Sequence, residues 1–169
     1  PDYLEALWPD RPLLPQDQVW IHEDKFAGRS VKDKLTWLRG ELAGSGCGYM
    51  FLNCLDQIAW LLNIRSNDVE YCPFVISFAL VGPECVDLFA DVSKFEDKTR
   101  IRLKEDNVTL HPYAEVGDYI KCFRADGKIL IDSGSLNYET GKAVAESFGK
   151  ENIVEGSSPV ELAKAVKNE

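Results

Sequence analysis

The sequence predicts an α/β fold: a mixed, mostly parallel β-sheet that contains a β-hairpin and is flanked by helices. Two apolar runs, residues 74–81 and 85–90, are separated by the turn-forming Gly82-Pro83-Glu84, which indicates an antiparallel hairpin. Farther along, short apolar runs alternate with helix-like segments, which is typical of βαβ units with parallel pairing. The 169 residues suit one domain, and a chain of this size buries about 70% of its unfolded surface.

The first half of the chain is predicted to hold a strap, a helix and a strand. Residues 1–18 are interpreted as a linker or strap from a preceding domain, because three prolines within eight residues interrupt both helices and strand ladders. Ser30 is a good N-cap for a helix that the glycines after residue 43 end. Residues 49–52 are apolar and predict a buried strand.

A polar loop follows the next predicted helix. Asp56 is expected to cap this short helix, over residues 57–63, and Pro73 closes the loop. The simplest interpretation pairs Arg65 with Asp68 to hold the loop, and the alternative is a direct role in chemistry.

The second half is predicted to contain three short strands and three helices. The strands are expected at residues 108–111, 128–132 and 153–154. The helices are expected at residues 113–123, at residues 136–148 with Ser135 or Asn137 near the cap, and from Pro159, which suits a first helical turn.

The composition argues against several classes of partner. The net charge is −9, from 19 basic and 28 acidic residues, so the surface repels nucleic acid and anionic lipids. A membrane span needs about 20 apolar residues, and the longest apolar runs, such as residues 74–81, are far shorter. The first residues lack the basic and apolar regions of a signal peptide. The five cysteines form no Cys-x-x-Cys unit, which favours free thiols in a reducing, cytoplasmic compartment.

A search for catalytic chemistry finds little. His22 and His111 are the only histidines, and no zinc-binding or nucleophile-elbow motif occurs. We therefore predict no catalytic and no metal-binding residue in this chain. His111 is expected to bond local backbone at a strand-to-helix junction, and Ser133 to lie in a capping loop. The alternative is a small independent enzyme that uses either residue.

One run of sequence carries a resemblance to a known family. The pattern Asp-x-Ile-Ala-Trp-Leu, then Asn-x-Arg, Asp-Val and a proline, resembles the eukaryotic-type Xaa-Pro aminopeptidases. The matching residues are Asp56, Ile58, Ala59, Trp60, Leu61, Asn63, Arg65, Asp68, Val69 and Pro73. Shorter matches lie at residues 8–12, 32–39, 111–113 and 163–168, in the family's order. Ser66 and Cys72 depart from the family's usual Gly and Asn.

The resemblance implies a domain organisation and an activity. Such enzymes have two creatinase-like α/β domains and a catalytic domain in which two divalent metals, usually manganese, activate water to cleave the bond before a penultimate proline. Residues 19–158 would be the middle creatinase-like domain, of the creatinase/prolidase N-terminal type, and residues 159–169 the start of a linker helix to the catalytic domain, which this chain lacks. The expected partners are the other domains of the full-length chain, with peptide substrate bound by the intact enzyme.

By the same resemblance, the loop after the predicted short helix is the candidate contact with the catalytic domain or its cleft. The candidate residues are Arg65, Asp68, Glu70 and Tyr71. An accessory domain is expected to expose an apolar patch where its neighbour docks. The alternative, a standalone interaction or oligomerisation module, is expected to self-associate through an isologous surface.

Overall fold

A six-stranded sheet forms the centre of the structure, a computed structural model that describes residues 7, 8 and 10–166. In chain order the strands are β1 (Trp20–Ile21), β2 (Tyr49–Leu52), β3 (Ile64–Arg65), β4 (Ser77–Val81), β5 (Val86–Ala90), β6 (Val108–Pro112), β7 (Ile129–Ile131) and β8 (Ile153–Glu155). The helices are α1 (Asp24–Ala27), α2 (Val31–Gly44), α3 (Leu55–Leu61), α4 (Asp97–Glu105), α5 (Val116–Cys122), α6 (Tyr138–Phe148) and α7 (Pro159–Ala165). Short 3-10 turns lie at Val92–Lys94, Tyr113–Glu115 and Lys150–Asn152.

The strand order is β6-β5-β4-β2-β7-β8. Three pairings are parallel, namely β5 with β6, β2 with β7 and β7 with β8. Strand β4 pairs antiparallel with both β2 and β5, so it alone runs against the other five. The β4–β5 pair is the predicted hairpin. The predicted mixed, mostly parallel sheet flanked by helices is confirmed.

Two apolar cores lie on opposite faces of the sheet, because successive strand side chains point to opposite sides. Along β2, Met50 and Leu52 belong to the core under α2, α3 and α7, whereas Phe51 belongs to the core under α5 and α6. Helix α4 joins the first core through Leu103. Both faces are thereby covered, as parallel sheets require.

Several helix boundaries agree with the sequence. The Ser30 hydroxyl accepts a hydrogen bond from the backbone N–H of Asp33 at 3.1 Å, so Ser30 caps α2. Gly46 takes φ +70° just after that helix ends. Asn137, one of the two proposed caps of α6, accepts from Thr140 N–H at 2.9 Å.

Other elements differ from the prediction. Asp56 does not cap α3: the helix begins after Cys54, and Asp56 instead forms an ion pair with Lys164. The first hairpin strand is shorter than residues 74–81 because Ile76 N–H donates to the Asp68 carboxylate, 2.8 Å away, rather than to a strand. The expected helix over residues 113–123 is divided into a 3-10 turn and α5.

The sequence did not predict α1, α4, β1 or β3. Six of the nine residues of α4 are charged, so it lacks the apolar stripe that marks a helix. Strands β1 and β3 have two residues each and, among the residues that the structure describes, pair only with one another.

The predicted strap has no helix or strand over residues 11–18, while residues 1–6 and 9 lie outside the described part of the chain. Leu7 and Leu13 are 79% and 90% exposed. Within the described residues, no helix has both the length and the apolar character needed to cross a membrane.

Candidate functional site

The base of the candidate loop is held by Asp68. Its side chain is buried and forms an ion pair with the equally buried ammonium of Lys94. The same carboxylate accepts hydrogen bonds from the Ser66 hydroxyl at 2.7 Å and from Ile76 N–H at 2.8 Å. Asp68 therefore does not pair with Arg65 as the sequence suggested, and it faces the interior. Its role here is to anchor the loop.

The tip of the loop is presented to solvent. Cys72 N–H donates to the Val69 carbonyl at 3.0 Å, which closes a turn with Glu70 and Tyr71 as its central residues. Tyr71 adopts φ +62° and is 95% exposed, and Glu70 is exposed beside it. A left-handed conformation costs a non-glycine residue about 1 kcal/mol or more. The turn thus projects an aromatic side chain that contributes no core contact.

Arg65, the fourth predicted residue, faces away from the loop. Its Nη1 donates to the carbonyls of Ala59 and Ile64, near the C-terminal end of α3, where a cation is favourable. Burial lowers the pKa of the guanidinium from its ordinary value. The four predicted residues are therefore not one cluster: Glu70 and Tyr71 form the tip, Asp68 lies beneath them, and Arg65 lines a separate cleft.

This cleft has a volume of about 620 Å³ and lies among α1, α2, α3 and α7. Its walls include two tryptophans, Trp37 and Trp60, whose rings meet edge to face with centroids 6.1 Å apart. Four basic side chains and one histidine line it: Arg29, Lys34, Arg65, Lys164 and His22. Among the described residues, Glu41 is the one acidic side chain in the lining. We call this cleft the basic groove.

A buried lysine forms the floor of the basic groove. Lys34 is 1% exposed, and its ammonium donates to the Trp60 carbonyl and to Asn63 Oδ1, both at 2.7 Å. The ammonium also lies 4.3 Å from the centroid of the Trp60 ring, in cation–π contact. Burial, followed by the positive charges of Arg65 and Arg29, lowers the pKa of Lys34 to about 8.

Asn63 connects this lysine to the start of α2. It adopts φ +50°, which Asn tolerates better than most residues. Its Nδ2 donates to Asp24 Oδ1 at 3.1 Å and to the Arg29 carbonyl at 3.0 Å. One amide thereby ties together α1, the segment before α2, and the end of α3.

The side chains that line the basic groove lie close enough for their positive charges to lower the pKa of a neighbour, although the whole chain has a net charge of −9. The pKa of His22 is lowered by burial and then by the charges of Arg65 and Lys34. Lys164 is paired with Asp56 at one side. Sequence reasoning missed this groove because its residues lie far apart along the chain, on elements that include the unpredicted α1.

The two alternative catalytic residues lie apart. His111 is on β6, where its Nε2 is 2.8 Å from Asp87 Oδ1 on β5, so the expected bond to local backbone is wrong. Ser133 follows β7 and donates to Glu155 at 3.0 Å. Strands β5, β4 and β2 separate β6 from β7, a span of about 19 Å at the usual strand spacing. These residues cannot act together.

Metal ligands do not gather in the described part of the chain. No group of three or more His, Cys, Asp or Glu side chains is placed there to hold a metal ion. All five cysteines are free thiols.

The six-stranded mixed sheet, with one apolar core on each face, defines a small α/β domain. The sequence matches the family described as Creatinase/Prolidase N-terminal domain over residues 10–169, and the chain belongs to this family.

Curated relatives extend well beyond this chain. A protein of Arthroderma gypseum named Probable Xaa-Pro aminopeptidase P is 36% identical over 173 residues, covering 98% of this chain and 27% of that protein. Xaa-Pro aminopeptidase 1 of Dictyostelium discoideum is 35% identical over 159 residues, covering 94% of this chain and 24% of that protein. The chain thus spans about a quarter of the length of these relatives.

Solved structures agree on the fold. X-prolyl aminopeptidase from Caenorhabditis elegans, described as a cytosolic enzyme with a di-nuclear active site, aligns with a TM-score of 0.87 and 30% identity. The alignment covers 99% of this chain and 28% of that one. Prolidase from Pyrococcus horikoshii shares the fold at a TM-score of 0.54 and 12% identity, over 81% of this chain and 36% of that one.

Asp68→Ala is expected to lower the free energy of unfolding by about 3–5 kcal/mol, because Lys94 is left buried without its counter-charge. Asp68→Asn, which retains an acceptor, is expected to cost less, and Asp68→Ala combined with Lys94→Met to recover part of the loss. Urea unfolding monitored by circular dichroism measures each value. A cost for Asp68→Ala below about 0.5 kcal/mol, the usual effect of a surface substitution, would contradict the anchoring role.

Lys34 is expected to make stability depend on alkaline pH. Because its pKa falls from 10.5 to about 8 on folding, the unfolded chain binds more protons between these values, so folding becomes more favourable as pH rises through this range. Lys34→Met lacks this gain. The stability difference between wild type and Lys34→Met should therefore grow from about pH 7 to about pH 9.5. Lys32→Met, at an exposed position on α2, is the control, and an unchanged difference would show that the pKa is not lowered.

Proposed function

We propose that this chain is a non-catalytic accessory domain of a metal-dependent Xaa-Pro aminopeptidase, an enzyme that removes the N-terminal residue from peptides with a penultimate proline. The observation that carries the proposal is an alignment with proteins that bear this name. It covers nearly the whole of this chain and about a quarter of the length of each of those proteins, at 30% to 36% identity. The names give the activity of those proteins, and the 169 residues contain none of the family's metal-binding motifs.

In this proposal each segment has a place in a longer protein. Residues 1–18 are a strap from a preceding domain, residues 19–158 the middle creatinase-like domain, and residues 159–169 the start of a linker helix. Two divalent metals, manganese by the family resemblance, belong to the catalytic domain. We place the intact enzyme in the cytoplasm, supported by the cytosolic relative from C. elegans and the free cysteines. Nucleic acid and membranes are not partners, since the net charge is −9.

The surface supports docking against another domain. Large apolar side chains are exposed on the helical face: Phe26 at 64%, Leu162 at 78% and Val166 at 73%. Exposed apolar groups of this kind favour interaction sites.

We further propose that Glu70 and Tyr71 contact the catalytic domain or the rim of its cleft. The buried Asp68 fixes the loop base, and the tip is left free for such a contact.

The full-length protein is expected to cleave an Xaa-Pro peptide in the presence of Mn²⁺, and the 169-residue chain is expected not to. Both proteins are assayed side by side for release of the first amino acid. A peptide with alanine at the second position controls for specificity. Cleavage by the 169-residue chain, after contaminating peptidases are excluded, or absence of cleavage by the full-length protein, would refute the proposal.

Tyr71→Ala is expected to destabilise the full-length protein by about 1–2 kcal/mol, as loss of a contacting aromatic at an interface does, and to lower kcat/KM. The 169-residue chain should be unaffected, because Tyr71 is 95% exposed within it. Tyr138→Ala removes another exposed tyrosine, 84% exposed at the start of α6, and serves as the matched control. Equal behaviour of both variants in thermal unfolding and kinetics would contradict a role for the tip.

A further inference from the structure

The exposed apolar residues Phe26, Leu162 and Val166 line the basic groove, and the accessory-domain proposal leaves the volume and the positive charge of this groove unexplained. Its volume of about 620 Å³ lies within the usual range for binding sites and admits several side chains. Trp37 and Trp60 form an apolar wall. Leu162 and Val166 of the α7 segment stand at its edge with most of their surface exposed. The groove can therefore accept an apolar side chain.

Hydrogen-bond donors remain available in the same groove. Arg65 uses Nη1 for two backbone carbonyls, and its Nε and Nη2 make no hydrogen bond to any described residue. Arg29 is exposed, lies over the Trp37 ring at 5.8 Å, and makes one long bond of 3.3 Å to the Asp33 carbonyl. A guanidinium presents paired donors that match a carboxylate. The buried Lys34 adds a fixed positive charge at the floor.

We propose that the basic groove binds a peptide segment in which an Asp or Glu side chain stands beside an apolar side chain, and that the rest of the full-length protein supplies this segment. The carboxylate would meet Arg29 and Arg65, and the apolar side chain would pack between the tryptophans and α7. The second half of the proposal rests on the proposed function, which provides the longer protein.

Charge complementarity selects this occupant. The groove gathers cations on a chain whose net charge is −9, so the surrounding surface repels an extended polyanion such as RNA much more strongly than a single carboxylate that lies within the groove. The exposed apolar rim at Leu162 and Val166 also fits a protein segment better than a phosphate ester. A segment from the same protein needs little affinity of its own, because tethering raises its effective concentration.

Site-specific photo-crosslinking in the full-length protein tests the proposal. The photoreactive amino acid p-benzoylphenylalanine replaces Leu162 at the groove rim or, as a control, Ile101, a 60% exposed residue of α4. Mass spectrometry then identifies the crosslinked peptide. The expected result is a peptide from outside residues 1–169 that contains Asp or Glu beside an apolar residue, from position 162 only. Mixing isotopically light and heavy proteins distinguishes crosslinks within one chain from those between two copies.

Charge reversal tests the carboxylate contact. Arg29→Glu is expected to reduce the crosslink yield about tenfold, whereas Lys32→Glu, the same charge change at an exposed residue three positions away and outside the groove, is expected to change it less than about twofold. Replacing the crosslinked segment's carboxylate by lysine in the Arg29→Glu background should restore the yield. Crosslinks confined to residues 1–169, crosslinks between two copies, a segment without a carboxylate, or equal yields in the two reversal variants would each overturn the proposal.

The two proposals fail in different ways. A full-length protein that cleaves Xaa-Pro peptides but gives no such crosslink refutes the groove assignment alone. A protein that gives the crosslink but cleaves no Xaa-Pro peptide refutes the aminopeptidase assignment alone.

Discussion

The helical face of this domain depends on the hydrogen bonds that the buried Lys34 ammonium donates. A cation away from water is costly unless acceptors surround it. The Trp60 carbonyl and Asn63 Oδ1, both at 2.7 Å, meet this need and lock α2 against the end of α3. Asn63 extends the connection to Asp24 and Arg29. The basic groove follows from this arrangement, because it brings α1, α2 and α3 around one fixed charge.

The loop that carries Tyr71 also depends on a buried charge that needs partners, and here the charge is negative. A buried carboxylate, Asp68, requires a cation and hydrogen-bond donors, and Lys94, Ser66 and Ile76 supply them. Since these contacts hold the base, the tip at Tyr71 can extend into solvent in a strained conformation without unfolding the loop. A rigid base beneath an exposed aromatic is well suited to contact with a neighbouring domain, since little ordering entropy is lost on binding.

Elements with a strong local signal were predictable. The Ser30 cap and the apolar spacing of α2 depend on residues within four positions of one another, and the hairpin depends on two apolar runs and a turn. Helix α4 was missed because six of its nine residues are charged, and its place is set by packing of Leu103 and Thr99. The expected Arg65–Asp68 pair failed because both side chains found partners elsewhere, Asp68 at a lysine 26 residues away.

The sequence by itself therefore determined the type and order of the periodic elements, the mixed sheet and the resemblance to a family, because each follows from short-range patterns. Only the tertiary structure decided which charges are buried, which acceptors they meet, and that Arg65 lines a groove while Tyr71 stands at a loop tip. The physical reason is that a buried charge must take the partners that packing brings within about 3 Å. In this fold the lysine that pairs with Asp68 is 26 residues away along the chain, and the two acceptors of Lys34 are 26 and 29 residues away.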